Sequence, residues 1–101
     1  MLNQVVIVGR LVQDLKIKEL ESGKKVANLR LAVQRPYKND EGVYETDFID
    51  CDLWDGLALN TGEYCRKGDV VGVKGRLQNV SGSKKTMKVV AEKVTFLSSK
   101  K

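Results

Sequence analysis

Apolar residues in this chain recur mainly at every second position, the period of strands half-buried in a sheet. The clearest run is 26–35, where Ala27, Leu29, Leu31 and Val33 share one face and Asn28, Arg30 and Gln34 the other. Upstream, in Asn3 to Val12, Val5-Val6-Ile7-Val8 is apolar on both faces, which predicts a strand covered on both sides. A thin one-domain chain has little with which to cover the second face, so a second subunit is expected there. Gly9 marks a bend, and Leu15 to Leu20 continues the strand after a kink at Asp14. Ser22-Gly23-Lys24 is a turn signal between the two strands.

Pro36 is expected to end the second strand because it cannot donate to a ladder, and Tyr37 to Gly42 then forms a hairpin loop. The third strand, 43–54, has the least ordinary pattern. Ile49, Cys51 and Leu53 fall on a core face, whereas Phe48, Asp50, Asp52 and Trp54 fall on the other. Two large rings thus stand ~20 Å apart on one surface, at ~3.3 Å per residue. Rings in a row on a sheet form a platform for unstacked bases. The alternative is that one ring folds over the sheet edge into a core.

A helix is predicted from Asp55 to Lys67, with Asp55 as N-cap, a stripe of Leu57, Ala58, Thr61, Tyr64 and Cys65, and Gly68 as the stop. A fourth strand follows over 69–79, with Val71, Val73 and Leu77 inward and Gly72 and Gly75 at bends. The fifth runs from Lys84 to Leu97 through Met87, Val89, Val90, Val94 and Phe96. Five bent strands with one helix after the third is the element order of an all-β, five-stranded OB-fold barrel, with the domain spanning 1–97 and a disordered basic tail at 98–101.

Charge sharpens this picture. The 101 residues carry +5 overall, but residues 1–39 carry +5, 40–65 carry −8 and 66–101 carry +8. Two basic blocks flanking an acidic middle suit a polyanionic partner. There is no histidine, which removes Ser-His-Asp and Cys-His nucleophile chemistry, and no phosphate-loop pattern; an enzyme is not expected. Cys51 and Cys65 lack metal-ligand spacing and read as reduced apolar fillers. Asp50 and Asp52 on one face admit a Mg²⁺ site, but further ligands and a base are wanting, so no cofactor is expected. With no leader-like or membrane-length apolar run in these residues, the expected location is the cytoplasm.

Several blocks in this order resemble the bacterial single-stranded DNA-binding proteins. They are Met1 to Leu11, Ser22-Gly23-Lys24 with Val26-Ala27-Asn28, Leu31-Ala32-Val33, Arg35-Pro36-Tyr37, Asp47-Phe48-Ile49 with Cys51, Trp54, Tyr64 through Gly68, Gly75-Arg76-Leu77-Gln78 and Val94 to Leu97. The resemblance implies an OB-fold subunit, usually in a homotetramer, that wraps single-stranded DNA without sequence specificity in replication, recombination and repair, associated with the nucleoid. It implies base stacking on Tyr37, Phe48 and Trp54, and subunit pairing through the first strand at Asn3, Val5, Ile7 and Gly9.

Charge and strand facing add Arg30, Arg35, Lys38, Lys74, Arg76, Lys84, Lys85 and Lys88 as phosphate contacts. Three departures stand out. The sequence stops at Lys101 with no acidic tail for recruiting replication proteins, the loop between the last strands is short, and Asp50, Asp52 and Asp55 crowd the stacking strand. The missing tail and the acidic middle favour the alternative of an OB-fold adaptor of the primosomal type, which binds a protein partner and single strands only weakly.

Overall fold

The computed structural model describes residues 1–98. Alternation predicted from the sequence becomes β1 (Val5–Leu11), β2 (Ile17–Glu19), β3 (Lys25–Lys38), β4 (Tyr44–Trp54), β5 (Val70–Asn79) and β6 (Met87–Ser98), with one helix, α1 (Asp55–Tyr64), between β4 and β5. The sheet order is β1-β5-β6-β4-β3-β2, and β1 also pairs with β3. That last pairing closes five strands into a barrel of the OB type and leaves β2 as a short flap on β3. The first predicted strand is therefore two elements: the kink at Asp14 separates β1 from β2, and the carboxylate there accepts the Lys67 backbone N–H at 2.7 Å. Counted without β2, α1 follows the third strand, as expected.

Closure puts odd-numbered residues of β3 and β4 inside. Leu11, Leu29, Leu31 and Leu53 are at most 1% exposed, and each contributes roughly 1.5–3 kcal/mol by burial. Cys51, Ala58, Cys65, Val71, Val73 and Val89 complete the core. Two glycines let backbones approach where the ring closes. A Cβ at Gly9 would lie 2.8 Å from the Ala32 carbonyl oxygen, and one at Gly75 would overlap the Val90 carbonyl. Gly9 is thus a crossing point rather than a surface position.

Several boundaries differ from expectation, among them the start of β6, which lies at Met87 rather than Lys84. β3 runs past Pro36, because Arg35, Pro36 and Tyr37 face Glu45 alone in a bulge, where no donor is required of proline. α1 ends at Tyr64, three residues before Lys67. Its N-cap position is Trp54, without a side-chain cap, so Asp55 is not the cap. Asp55 instead sits at φ +48°, and its Oδ1 accepts the Lys25 backbone N–H at 2.9 Å, tying the end of β4 to the start of β3. Ser98, expected in the tail, closes β6 opposite Val70; the rest of that expected tail lies outside the described residues.

Among the described residues, Thr61 Oγ1 is buried without a hydrogen-bond partner. Thr61→Val keeps the shape and removes that cost, and is expected to stabilise the protein by about 1 kcal/mol. Gly75→Ala is expected to destabilise it by about 3 kcal/mol or more. Thermal melts of the two variants, shifting in opposite directions, check both expectations.

Candidate nucleic-acid interface

The even-numbered face of β4 lies outside the barrel, as the alternation requires. Phe48 is 55% exposed, and Trp54 is partly buried in a surface groove rather than in the core. The alternative in which a ring folds into the core is thereby removed. Cross-strand register places Ala32 beside Phe48, Arg30 beside Asp50, Asn28 beside Asp52 and Val26 beside Trp54. On the other side of β4, β6 runs parallel with Val90 beside Asp52, and Arg76 of β5 lies beside Val90. Phe48, Trp54, Arg30, Lys88 and Arg76 therefore share one continuous surface.

Trp54 lines a groove of about 440 Å³ with Lys16, Lys18, Leu20, Val26, Ala27, Asn28, Asp52 and Lys88. Lys16 and Lys18, absent from the sequence-based candidates, belong to the site. Their signal was present, since they alternate with Leu15 and Ile17. Tyr44 was missed too. It has the same parity as Phe48, which puts the two rings ~13 Å apart along one face of β4, and Lys38 Nζ lies 5.6 Å from its centroid.

Other candidates stand elsewhere. Tyr37, in the β3 bulge, is exposed on the β3–β4 arm. Arg35 lies on the reverse side of that arm, donating to both carboxylate oxygens of Asp47 at 2.9 and 3.1 Å and pairing with Glu45. These contacts hold the Asp47 carboxyl below its usual range, chiefly through the hydrogen bonds from Arg35. Lys74 lies between Val6 of β1 and Lys93 of β6, on the same outward face of β5 as Arg76 and two residues from it. Lys84 and Lys85 are exposed in the loop before β6. On β1, Val5 and Ile7 are partly buried on the core side and Gly9 is buried, so the exposed apolar side chains are Val6 and Val8. Asn3 is held to Leu77 by two hydrogen bonds, its Nδ2 donating to the carbonyl and its Oδ1 accepting the N–H.

The carboxylates on the aromatic face are paired. Asp52 Oδ2 lies 3.0 Å from Lys88 Nζ, and Asp50 Oδ2 lies 3.7 Å from Arg30 Nη1. Arg30 also places its guanidinium carbon 5.3 Å from the Phe48 centroid. The Phe48 ring and the Arg30 guanidinium thus form a cation–π pair on the exposed face. Beneath the same strand, burial first and then Asp50 and Asp52 push the Cys51 thiol up to about 11. It stays protonated at neutral pH, which makes it a core filler rather than a nucleophile. Among the described residues, no group of three or more Cys, Asp or Glu side chains forms a metal site.

The arm is expected to depend on Arg35 and Asp47. Asp47→Asn should speed amide hydrogen exchange across residues 35–46 while the barrel amides keep their protection. Uniform exchange in both regions would contradict that local role.

Comparison with known proteins gives a consistent set of matches. The model of the single-strand binding protein family matches residues 2–97. A single-stranded DNA-binding protein of Oceanobacillus iheyensis is 45% identical over 106 residues, covering 99% of this chain and 66% of that protein. Single-stranded DNA-binding protein B of Bacillus subtilis is 47% identical over 81 residues, covering 80% and 72%. A Halalkalibacterium halodurans protein of the same description is 43% identical over 103 residues, covering 96% and 61%. The chain spans about two thirds of the length of these relatives.

Proposed function

The chain belongs to the single-strand binding protein family, and from that membership we propose that it binds single-stranded DNA as a non-enzymatic protein in replication, recombination and repair. The observation that carries the reading is the exposed even face of β4, where Phe48 and Trp54 stand outside the core with cations from β2, β3, β5 and β6 around them. Bases stack on Trp54, on Phe48 with Arg30, and along the arm on Tyr44 and Tyr37. Lys16, Lys18, Lys88 and Arg76 meet phosphates on the barrel, and Lys38, Lys84 and Lys85 at its margins. Lys74, outward on β5 beside Arg76, stays in this set, whereas Arg35 is left out because Asp47 and Glu45 hold it on the reverse of the arm.

Magnitudes favour the rings as the main source of affinity. Each stacked base is worth roughly 1–3 kcal/mol. A cation already paired with a partly exposed carboxylate gains less from a phosphate, and such ion pairs are themselves worth about 0–1 kcal/mol. Oligo-dT is therefore expected to quench Trp54 fluorescence, and Phe48→Ala to weaken binding by about 5- to 100-fold. A folded protein whose tryptophan signal ignores oligo-dT at low salt would end this reading.

Assembly with further copies of the chain, to a dimer or tetramer, belongs to the same proposal. Val6 and Val8 are 68% and 52% exposed side by side on β1 and leave an apolar strip for a partner to cover. Sedimentation at micromolar concentration is expected to give a mass above 11.3 kDa, and Val6→Lys with Val8→Lys to lower it. A monomer in both cases would contradict the assembly.

A further inference from the structure

We infer that the Trp54 groove prefers a base with N–H donors on its Watson–Crick edge, guanine above all, and that Asp52 determines the preference. This inference rests on the single-strand binding proposed above and concerns which bases that surface favours. Asp52 lies on the same face as Trp54, two residues away, hence ~7 Å along β4, about the width of a base. A base stacked on the indole within the groove therefore turns an edge toward the Asp52 carboxylate. The salt bridge from Lys88 engages Oδ2 and fixes the carboxylate's position at 3.0 Å. Each carboxylate oxygen carries two lone pairs, so acceptor capacity remains on both. Asn28 stands directly across from Asp52 on β3 and lines the same groove, and Lys16 and Lys18 supply positive charge beside it.

The four bases differ in what they offer such an acceptor. Guanine presents N1–H and the N2 amine side by side, matching a carboxylate's two oxygens. Cytosine and adenine each present one exocyclic amine. Thymine presents one N–H flanked by two carbonyl oxygens, which a carboxylate repels. A stacking site without the carboxylate would follow ring size and backbone flexibility alone. This groove adds a hydrogen-bonding selection to the stacking, and the tethered Lys88 keeps the carboxylate in place for it.

The test uses three oligonucleotides of equal length: oligo-dT, a (TTG) repeat with isolated guanines, and a (TTI) repeat in which hypoxanthine removes only the N2 amine. Dissociation constants come from the midpoints of Trp54 titrations. The native protein is expected to bind the guanine repeat about fivefold more tightly than the hypoxanthine repeat, and oligo-dT the most weakly of the three. Asp52→Asn, which is close in shape, should bring the guanine and hypoxanthine repeats together and tighten binding to oligo-dT. Asp52→Ser serves if the amide variant fails to fold. Equal affinity of the native protein for the guanine and hypoxanthine repeats, or a preference that survives in the variant, overturns the assignment to Asp52. Failure to bind any of the three would instead overturn single-strand binding itself.

Discussion

Closure of the barrel through β1 is the constraint on which the other features depend. β1 pairs with β5 along most of its length and with β3 at Arg10 and Leu11. Where β1 meets β3, Leu31, Ala32 and Val33 leave no room for a side chain at Gly9. Once the ring is closed, the pleat has an inside and an outside. Shifting any strand by one residue would exchange its leucines for its charges. The exposed position of Phe48 and the burial of its neighbours Ile49 and Cys51 are therefore two aspects of one register.

On the outside, the electrostatics are balanced rather than uniformly positive. The net +5 of the chain overstates what a polyanion meets at the aromatic face, because Arg30 and Lys88 are engaged by Asp50 and Asp52. Among the described residues, positive charge without a salt-bridge partner at the site comes from Lys16 and Lys18, which line the Trp54 groove, and from Arg76. In the proposed complex, ring surfaces would set the strength of contact and the paired charges its geometry. The acidic middle of the chain divides by face. Asp50 and Asp52 serve the exposed surface, while Glu45 and Asp47 tie down Arg35 on the reverse of the arm.

Much of this was legible in the residues, and the remainder has identifiable causes. Period-two alternation placed 26–35 and 43–54 correctly and put Phe48 and Trp54 on the same side, because each strand has one apolar face. The same rule, carried one step further, would have included Tyr44. On β1 both faces are apolar, so parity carried no information. Ile7 packs against the core and Val5 is partly buried on the same side, while Val6 and Val8 are exposed. Pro36 was read as a stop because its missing donor forbids a ladder position. A bulge, which removes the need for that donor, cannot be seen from composition. Asp55 shows a third kind of miss. Its carboxylate satisfies a backbone donor 30 residues away, a partner that local capping rules do not consider.

Trp54 is at once the last residue of β4 and the residue from which α1 departs, and the corner beyond it is tied to β3 through Asp55. Its main chain is fixed by a ladder on one side and a helix on the other, so the indole retains two torsions of its own and little else. A flat partner that settles on it finds a surface already arranged. In the proposed complex, the loss of motion that usually accompanies association would fall mostly on the incoming strand, not on the protein.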